Sequence, residues 1–149
     1  NTFWNDTEPT TSVISIGTNN RVNGSSDNIV CYAWHSVDGY SNFGNYAGNG
    51  NNDGPFVYLG FRPRLLVIKE DGADDWVVYD TARNTANTGS SKVLRWDSSN
   101  SEFDGTSRAV DILSNGYKIR TSNGTINASG VEYVYMAWGD VSYKYNNTF

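Results

Sequence analysis

Aromatic and amide side chains alternate with glycine between Asp38 and Gly54, in the stretch DGYSNFGNYAGNGNNDG. Aromatic rings offer flat apolar surfaces and asparagine amides both donate and accept hydrogen bonds, so together they suit the faces and hydroxyl groups of sugars. The stretch therefore predicts a ligand-binding site made of Tyr40, Tyr46, Asn49, Asn51, Asn52 and Asp53. The alternative interpretation places aromatic residues such as Tyr46 in the core of the fold.

The same amide-rich segment is one of two places where hard oxygen ligands for Ca²⁺ occur together. The other is the acidic run EDGADD, which begins at Glu70 and ends at Asp75. Neither has the spacing of a D-x-D-x-D-G calcium loop, so no metal-binding residues are predicted and Ca²⁺ stays a side hypothesis. A negatively charged, solvated hairpin loop explains EDGADD more simply.

Residues for catalysis are scarce. His35 and Cys31 are the only histidine and the only cysteine, so the usual zinc ligand sets cannot form. Cys31 lies in an apolar run, where a small buried side chain is the simplest interpretation. Paired carboxylates are the remaining route to an enzyme, a glycan-cleaving one using Asp53 or Asp75, and this is the least favoured hypothesis. No catalytic residues are predicted, and the protein is expected not to be an enzyme.

Charge argues against two classes of partner. The net charge is −5, the isoelectric point is near 4.6, and the basic residues are scattered along the chain. Phosphate backbones and anionic lipid surfaces both require clustered lysine and arginine, so neither nucleic acid nor a membrane is an expected partner. No apolar stretch approaches the roughly 18 residues of a membrane-spanning helix.

The elements that must position these residues are short strands. Apolar and aromatic windows recur every 8 to 12 residues or so, and eight Asn-Gly or Asp-Gly pairs stand mostly between them. This pattern predicts an all-β fold with about ten short strands, little or no helix, and two antiparallel sheets packed as a β-sandwich. The predicted strands are Ser12–Ile16, Asn28–Trp34, Phe43–Ala47, Phe56–Phe61, Leu65–Glu70, Trp76–Asp80, Val93–Trp96, Val110–Leu113, Tyr117–Arg120 and Glu132–Trp138.

Two of these windows resemble each other. The segment from Asn23 to Trp34 aligns without gaps on that from Asn127 to Trp138, with identical residues at five of twelve positions. Both join a polar turn to a long apolar run that ends in Ala-Trp. The similarity suggests that the two predicted strands occupy comparable places, adjacent in one sheet; chance similarity is the alternative.

Several irregular motifs together resemble a known family. The run GYSNFGNYAGNGNNDGPFVYLGFRPRLLVIK, the segment WVVYDTARN and the segment DILSNGYKIRTSNGTINASGVEYVYMAW are similar to a domain of unknown function in virion proteins of marine tailed bacteriophages, cyanophages among them. The resemblance implies a concanavalin-like or jelly-roll β-sandwich in a phage particle. It implies no ligand, because a fold does not determine a function.

These observations lead to one functional expectation and one alternative. Residues 1–149 are expected to form a single domain that is part of a larger virion assembly, which is put together in the bacterial cytoplasm. The expected function is host-surface glycan recognition in a tail fibre or spike, as a homotrimer in contact with other virion proteins. The alternative is a structural module, a capsid decoration, fibre spacer or filament subunit, with NTFWNDTEPTTSV and VSYKYNNTF as partner-binding arms.

Overall fold

Nine strands and two very short helices make up the regular structure of residues 3–84 and 86–140, which are the residues that the computed structural model describes. The helices are α1 (Asn20–Asn23) and α2 (Gly124–Asn127), and a 3₁₀ turn covers Thr106–Arg108. The strands are β1 (Ser41–Ala47), β2 (Phe56–Tyr58), β3 (Pro63–Glu70), β4 (Trp76–Asp80), β5 (Ser91–Arg95), β6 (Phe103–Gly105), β7 (Val110–Leu113), β8 (Gly116–Ile119) and β9 (Glu132–Gly139).

The strands form two antiparallel sheets. The larger has six strands in the order β1-β9-β3-β4-β5-β6, and the smaller has three in the order β2-β8-β7. Most of their buried apolar residues belong to one cluster, to which β3 contributes Leu66 and Ile68 and β8 contributes Tyr117 and Ile119. Alternate residues of a strand point to opposite faces, so the inner faces of both sheets meet at this core. The predicted all-β, two-sheet antiparallel fold is confirmed.

Tyrosine fills much of the core. Tyr46 stacks on Tyr133, with ring centroids 5.2 Å apart, and meets Tyr117 edge to face at 6.2 Å. Tyr117 also meets Tyr135 edge to face at 5.8 Å. Large rings of this kind let a chain with few leucines and isoleucines still bury a substantial apolar area.

Eight of the nine strands were predicted, with boundaries that shift by a few residues. The three-residue strand β6 was missed because FDG carries no strand-like alternation. Two predicted strands, Ser12–Ile16 and Asn28–Trp34, are wrong: neither segment is in a strand. Cys31 is exposed, which corrects its interpretation as a small buried side chain.

The order of the larger sheet also corrects the inference from the internal similarity. Strand β9, the second of the two similar windows, lies between β1 and β3. The first window supplies neither neighbour. The shared Val, Ala and Trp residues of the two windows therefore do not mark adjacent strands.

The chain divides into two compact units, Asn1–Trp34 and His35–Phe149. The first contains α1, which Asn19 caps by accepting the Arg21 N–H at 2.9 Å, and the second contains both sheets. A single domain over residues 1–149 stays a prediction. The predicted arm VSYKYNNTF lies outside the described residues. Within the described part, no helix has the length and apolar character needed to cross a membrane.

Candidate functional site

The amide-rich loop Gly48–Gly54 is built around one buried side chain, that of Asn127 at the end of α2. Asn127 is fully buried, and its Oδ1 accepts the Asn49 N–H at 2.8 Å. Its Nδ2 donates to the carbonyl oxygens of Asn51, at 2.8 Å, and Thr121, at 2.7 Å. A buried amide needs such partners, because an unpaired one loses its hydrogen bonds to water without replacement. Asn127 therefore fixes the loop to the fold.

The loop's own amides complete the structure. Asn49 Oδ1 accepts the Asn51 N–H, Asn51 Oδ1 accepts the Asp53 N–H, and Asn52 Oδ1 accepts the Ser122 N–H, each at 2.9 Å. Such side-chain to backbone bonds are the usual way in which asparagine stabilises turns. The side-chain oxygens are thus used by backbone N–H groups of the loop and of Ser122, while the exposed Nδ2 groups of Asn51 and Asn52 have no protein partner among the described residues.

Two glycines are required by this geometry. Gly50 has φ of +65°, a left-handed conformation in which a side chain is strained. At Gly48 a Cβ atom would collide with the carbonyl oxygen of Ala128. Gly48 and Gly50 therefore let the loop pack closely against Ala128 and Ser129, which follow α2.

Asp53 begins a line of alternating charges beside the loop. Its Oδ1 lies 2.8 Å from Lys118 Nζ and 3.8 Å from Arg120, whose Nε lies 3.3 Å from Asp111 Oδ2. The hydrogen bond and charge of Lys118, with a smaller contribution from Arg120, lower the pKa of Asp53. The Asp53 side chain is nevertheless 79 % exposed, so it stays accessible to a ligand.

The outer face of the smaller sheet continues from this charged line. In the strand register Phe56 lies opposite Lys118, which lies opposite Asp111, and the next row on the same face holds Tyr58, Gly116 and Leu113. Phe56 and Tyr58 are 45 % and 66 % exposed, although Val57 between them is in the core. Gly116 brings no side chain to the second row, and Phe56 Cε2 would lie 3.2 Å from a Cβ there.

These residues make one continuous surface, which we call the loop face: Asn51, Asn52, Asp53, Phe56, Tyr58 and Lys118. It combines two exposed rings with amide, carboxylate and ammonium groups. Asn51, Asn52 and Asp53 were predicted from the sequence. Phe56, Tyr58, Lys118 and the supporting Asn127 were missed, although the alternation of aromatic and aliphatic residues in FVYL already indicated that Phe56 and Tyr58 share a face.

Tyr46 does not belong to this surface. It is buried in the core, and its hydroxyl donates to the Ile126 carbonyl oxygen at 2.7 Å. Burial, and then the neighbouring Tyr79 and Tyr133, raises the pKa of Tyr46 far above its ordinary value. Its prediction as a ligand-binding residue is corrected, because it presents too little surface to a ligand. Asn49 is exposed, but the structure uses its amide to hold the loop.

Tyr40 lies away from the loop face. It lines a cleft of about 500 Å³ in the larger sheet, where Leu65, Trp138 and Asp80 are cross-strand neighbours. The predicted set of six residues is therefore divided among three places. Asn49, Asn51, Asn52 and Asp53 lie in the loop, Tyr46 lies in the core, and Tyr40 lies in the cleft.

The carboxylates considered for catalysis are engaged in ion pairs. Asp75 Oδ2 lies 3.3 Å from Arg95 Nε and 3.5 Å from an Arg108 nitrogen, while Asp53 pairs with Lys118. The described residues contain no group of three or more His, Cys, Asp or Glu side chains arranged to hold a metal ion. The side hypothesis of a calcium site in the loop stays untested, and it is weakened because the side-chain oxygens of Asn49, Asn51 and Asn52 already accept backbone N–H groups.

Comparison with known proteins gives a family but no function. A family model described as a domain of unknown function, DUF7483, matches residues 1–141. No curated protein and no solved structure matches the chain. The chain therefore belongs to the DUF7483 family.

Proposed function

We propose that this member of the DUF7483 family is a non-enzymatic glycan-binding domain that uses the loop face. The observation that carries the proposal is the exposure of Phe56 and Tyr58 on one face of a sheet whose adjoining loop offers unused amide N–H groups. Exposed apolar patches that are rimmed by polar groups often mark interaction sites. Asn51 and Asn52 donate to hydroxyl oxygens, while the free oxygen of Asp53 accepts from a hydroxyl group.

The rigidity of the loop favours binding. Because Asn127 and the internal amide bonds hold residues 48–54 in place, little conformational freedom is lost when a ligand contacts them. The alternation of Asp53, Lys118, Arg120 and Asp111 brings no excess of either sign. A neutral oligosaccharide therefore fits this surface better than a polyanion.

Binding of the purified chain to host-cell polysaccharide tests the proposal. We expect Phe56→Ala and Tyr58→Ala each to weaken binding about tenfold, as about 1.4 kcal/mol per ring would give. Trp96→Ala is the matched control, because Trp96 is 56 % exposed but follows β5 in the larger sheet. Equal losses in all three variants, or no binding by the unchanged chain, would contradict glycan recognition by the loop face.

The biological setting is proposed from the resemblance to marine phage virion proteins. We place the domain in a tail fibre or spike, in the extracellular particle, as a homotrimer that recognises a host-surface glycan. Competition between the purified chain and phage for adsorption to host cells checks this setting. A chain that binds polysaccharide but never competes with phage would retain the binding activity and exclude the setting.

A structural role is the second candidate, and residues 3–34 favour it. Nine of the fourteen large hydrophobic side chains that are exposed in the described residues lie there, among them Val13, Ile14, Val30 and Tyr32. Exposed apolar side chains in such number are typical of surfaces that pack against other subunits. Under this reading, replacing Ile14 and Val30 with serine abolishes assembly with neighbouring subunits, measured by analytical ultracentrifugation, and leaves polysaccharide binding intact.

A further inference from the structure

The two exposed rings of the loop face belong to separate rows of the smaller sheet. Tyr58 lies opposite Gly116 in the strand register, and Phe56 lies opposite Lys118. Residues two positions apart on a strand are separated by about 6.6 Å. A single pyranose ring has about the size of one aromatic ring, so it cannot stack on both. A glycan that contacts both rings therefore extends over at least two sugars.

Glycine residues leave the surface of both rings open. A Cβ atom at Gly116 would lie 3.2 Å from Phe56 Cε2, and a Cβ atom at Gly60 would lie 3.7 Å from the Tyr58 hydroxyl oxygen. A side chain at either position would stand against the ring and cover part of it. Because Gly60 has no side chain, that position also does not block a ligand that continues past Tyr58.

The polar groups of the loop face continue the line of the rings at the other end. Asp53 Oδ1 lies 2.8 Å from Lys118 Nζ, in the row of Phe56. Asn52 Oδ1 accepts the N–H of Ser122, which follows Lys118 by four residues. Four residues of extended chain cover up to about 13 Å. The amides therefore lie beyond the first ring, on the side away from the second.

We propose, on the basis of the glycan recognition proposed above, that the loop face binds a linear chain of at least three sugars rather than a single sugar or a disaccharide. One sugar stacks on Tyr58 and the next stacks on Phe56. A third sugar accepts hydrogen bonds from the Nδ2 groups of Asn51 and Asn52. Each of these contacts is open to water and weak by itself, so a useful affinity requires several sugars of one chain to bind together.

The proposal is tested by calorimetric titration of the full chain with size-separated fragments of the host-cell polysaccharide. Fragments of one to six sugars are compared with the intact polysaccharide. We expect the affinity to rise about tenfold with each added sugar up to three, as each new contact forms, and then to level off.

The failure of this proposal is distinguishable from the failure of the proposed function. If one or two sugars bind as tightly as three, the extended mode is overturned, while glycan binding by the loop face stands. If neither the polysaccharide nor any fragment binds, both proposals are overturned.

A variant at one end of the line sharpens the test. Tyr58→Ala removes one stacking surface, so the affinity is expected to level off at two sugars instead of three. Trp96→Ala is the control, because Trp96 is also an exposed ring but follows β5 in the larger sheet, and its affinity should still level off at three. An unchanged dependence on fragment length in Tyr58→Ala would overturn the proposal.

A variant at the other end separates the third sugar from the first two. Asn52→Asp keeps an oxygen that accepts the Ser122 N–H but removes the Nδ2 donor. It is expected to weaken binding of the trisaccharide about fivefold and to leave binding of the disaccharide unchanged. Asn100→Asp, at an exposed position between β5 and β6, introduces the same charge and is expected to change neither. Equal effects of Asn52→Asp on the two fragments would overturn the proposed order of sugars along the loop face.

Discussion

Two segments with similar sequences have different structures in this protein. Strand β9 runs YVYMAW from Tyr133 to Trp138, and the segment from Ile29 to Trp34 runs IVCYAW. In β9, Tyr133 and Ala137 are fully buried, whereas every residue from Ile29 to Trp34 is exposed and outside any strand. An alternating apolar pattern is therefore compatible with a strand but does not ensure one. In β9 the strand forms because β1 and β3 pair with it on both sides.

The largest effect is expected for matched substitutions at the shared alanine. Ala137→Asp places a carboxylate without a partner in the core and is expected to destabilise the fold by on the order of 4 kcal/mol, enough to prevent folding. Ala33→Asp, at the equivalent exposed position, is expected to change stability by no more than about 0.5 kcal/mol. Urea unfolding measures the stability of both variants. Similar decreases in their unfolding free energies would contradict the structural difference between the two segments.

Alkaline pH is expected to destabilise the tyrosine-rich core to which β9 contributes. Burial raises the pKa values of Tyr46, Tyr79 and Tyr117 above the ordinary value of 10.0. Each folded-state pKa lies above the unfolded one, so the stabilisation is complete below pH 10 and is lost as pH rises toward the folded values. In that range each tyrosine lowers the unfolding free energy by about 1.4 kcal/mol per pH unit. Three such tyrosines together lower it by roughly 4 kcal/mol per pH unit.

Unfolding free energies measured from pH 9 upward check this expectation. Tyr117→Phe is the control, because it removes one of these groups and should reduce the slope by about 1.4 kcal/mol per pH unit. A stability that is flat between about pH 10 and 11 would show that these tyrosines are not held in the core.

Hydroxyl groups within that core give a smaller and more selective effect. Tyr46→Phe removes the bond to the Ile126 carbonyl and is expected to destabilise the fold by about 1 to 2 kcal/mol. The buried hydroxyl of Tyr117 has no partner within the described residues, so Tyr117→Phe is expected to be neutral or slightly stabilising. Denaturation of both variants at pH 7 measures their unfolding free energies. Equal decreases in the two variants would contradict the expectation that only the Tyr46 hydroxyl makes a stabilising hydrogen bond.

The sequence was a good guide to the fold for a physical reason. Asn-Gly and Asp-Gly turns and alternating residues are local signals, and they located β4 and β7 at their observed boundaries. What failed was decided by distant parts of the chain. No local feature separates Ile29–Trp34 from β9, and none shows that Tyr46 is inside while Tyr58 is outside, because both follow the same alternation.

The candidate site shows the same division. The amides from Asn49 to Asp53 stand out by composition, so the loop was found. Asn127 was not found, because it is 78 residues from Asn49 in the sequence and the two residues meet only in the folded chain. Tyr40 was grouped with Tyr46 by spacing, although β1 sends one to the core and the turn before it leaves the other in a cleft.

The smallest expected change in stability follows from chemical labelling of Cys31, the single cysteine. Cys31 is exposed, whereas its equivalent in β9, Tyr135, belongs to the buried cluster. A thiol reagent is therefore expected to label Cys31 in the folded protein within about tenfold of its rate in urea, because access does not require global unfolding. Labelling is expected to leave the unfolding free energy unchanged within about 0.5 kcal/mol. A matched Tyr135→Cys, Cys31→Ser protein should be labelled far more slowly, since its thiol is reached only when the sheet opens. Equal labelling rates at the two positions would show that Ile29–Trp34 is packed like β9, and the comparison would fail.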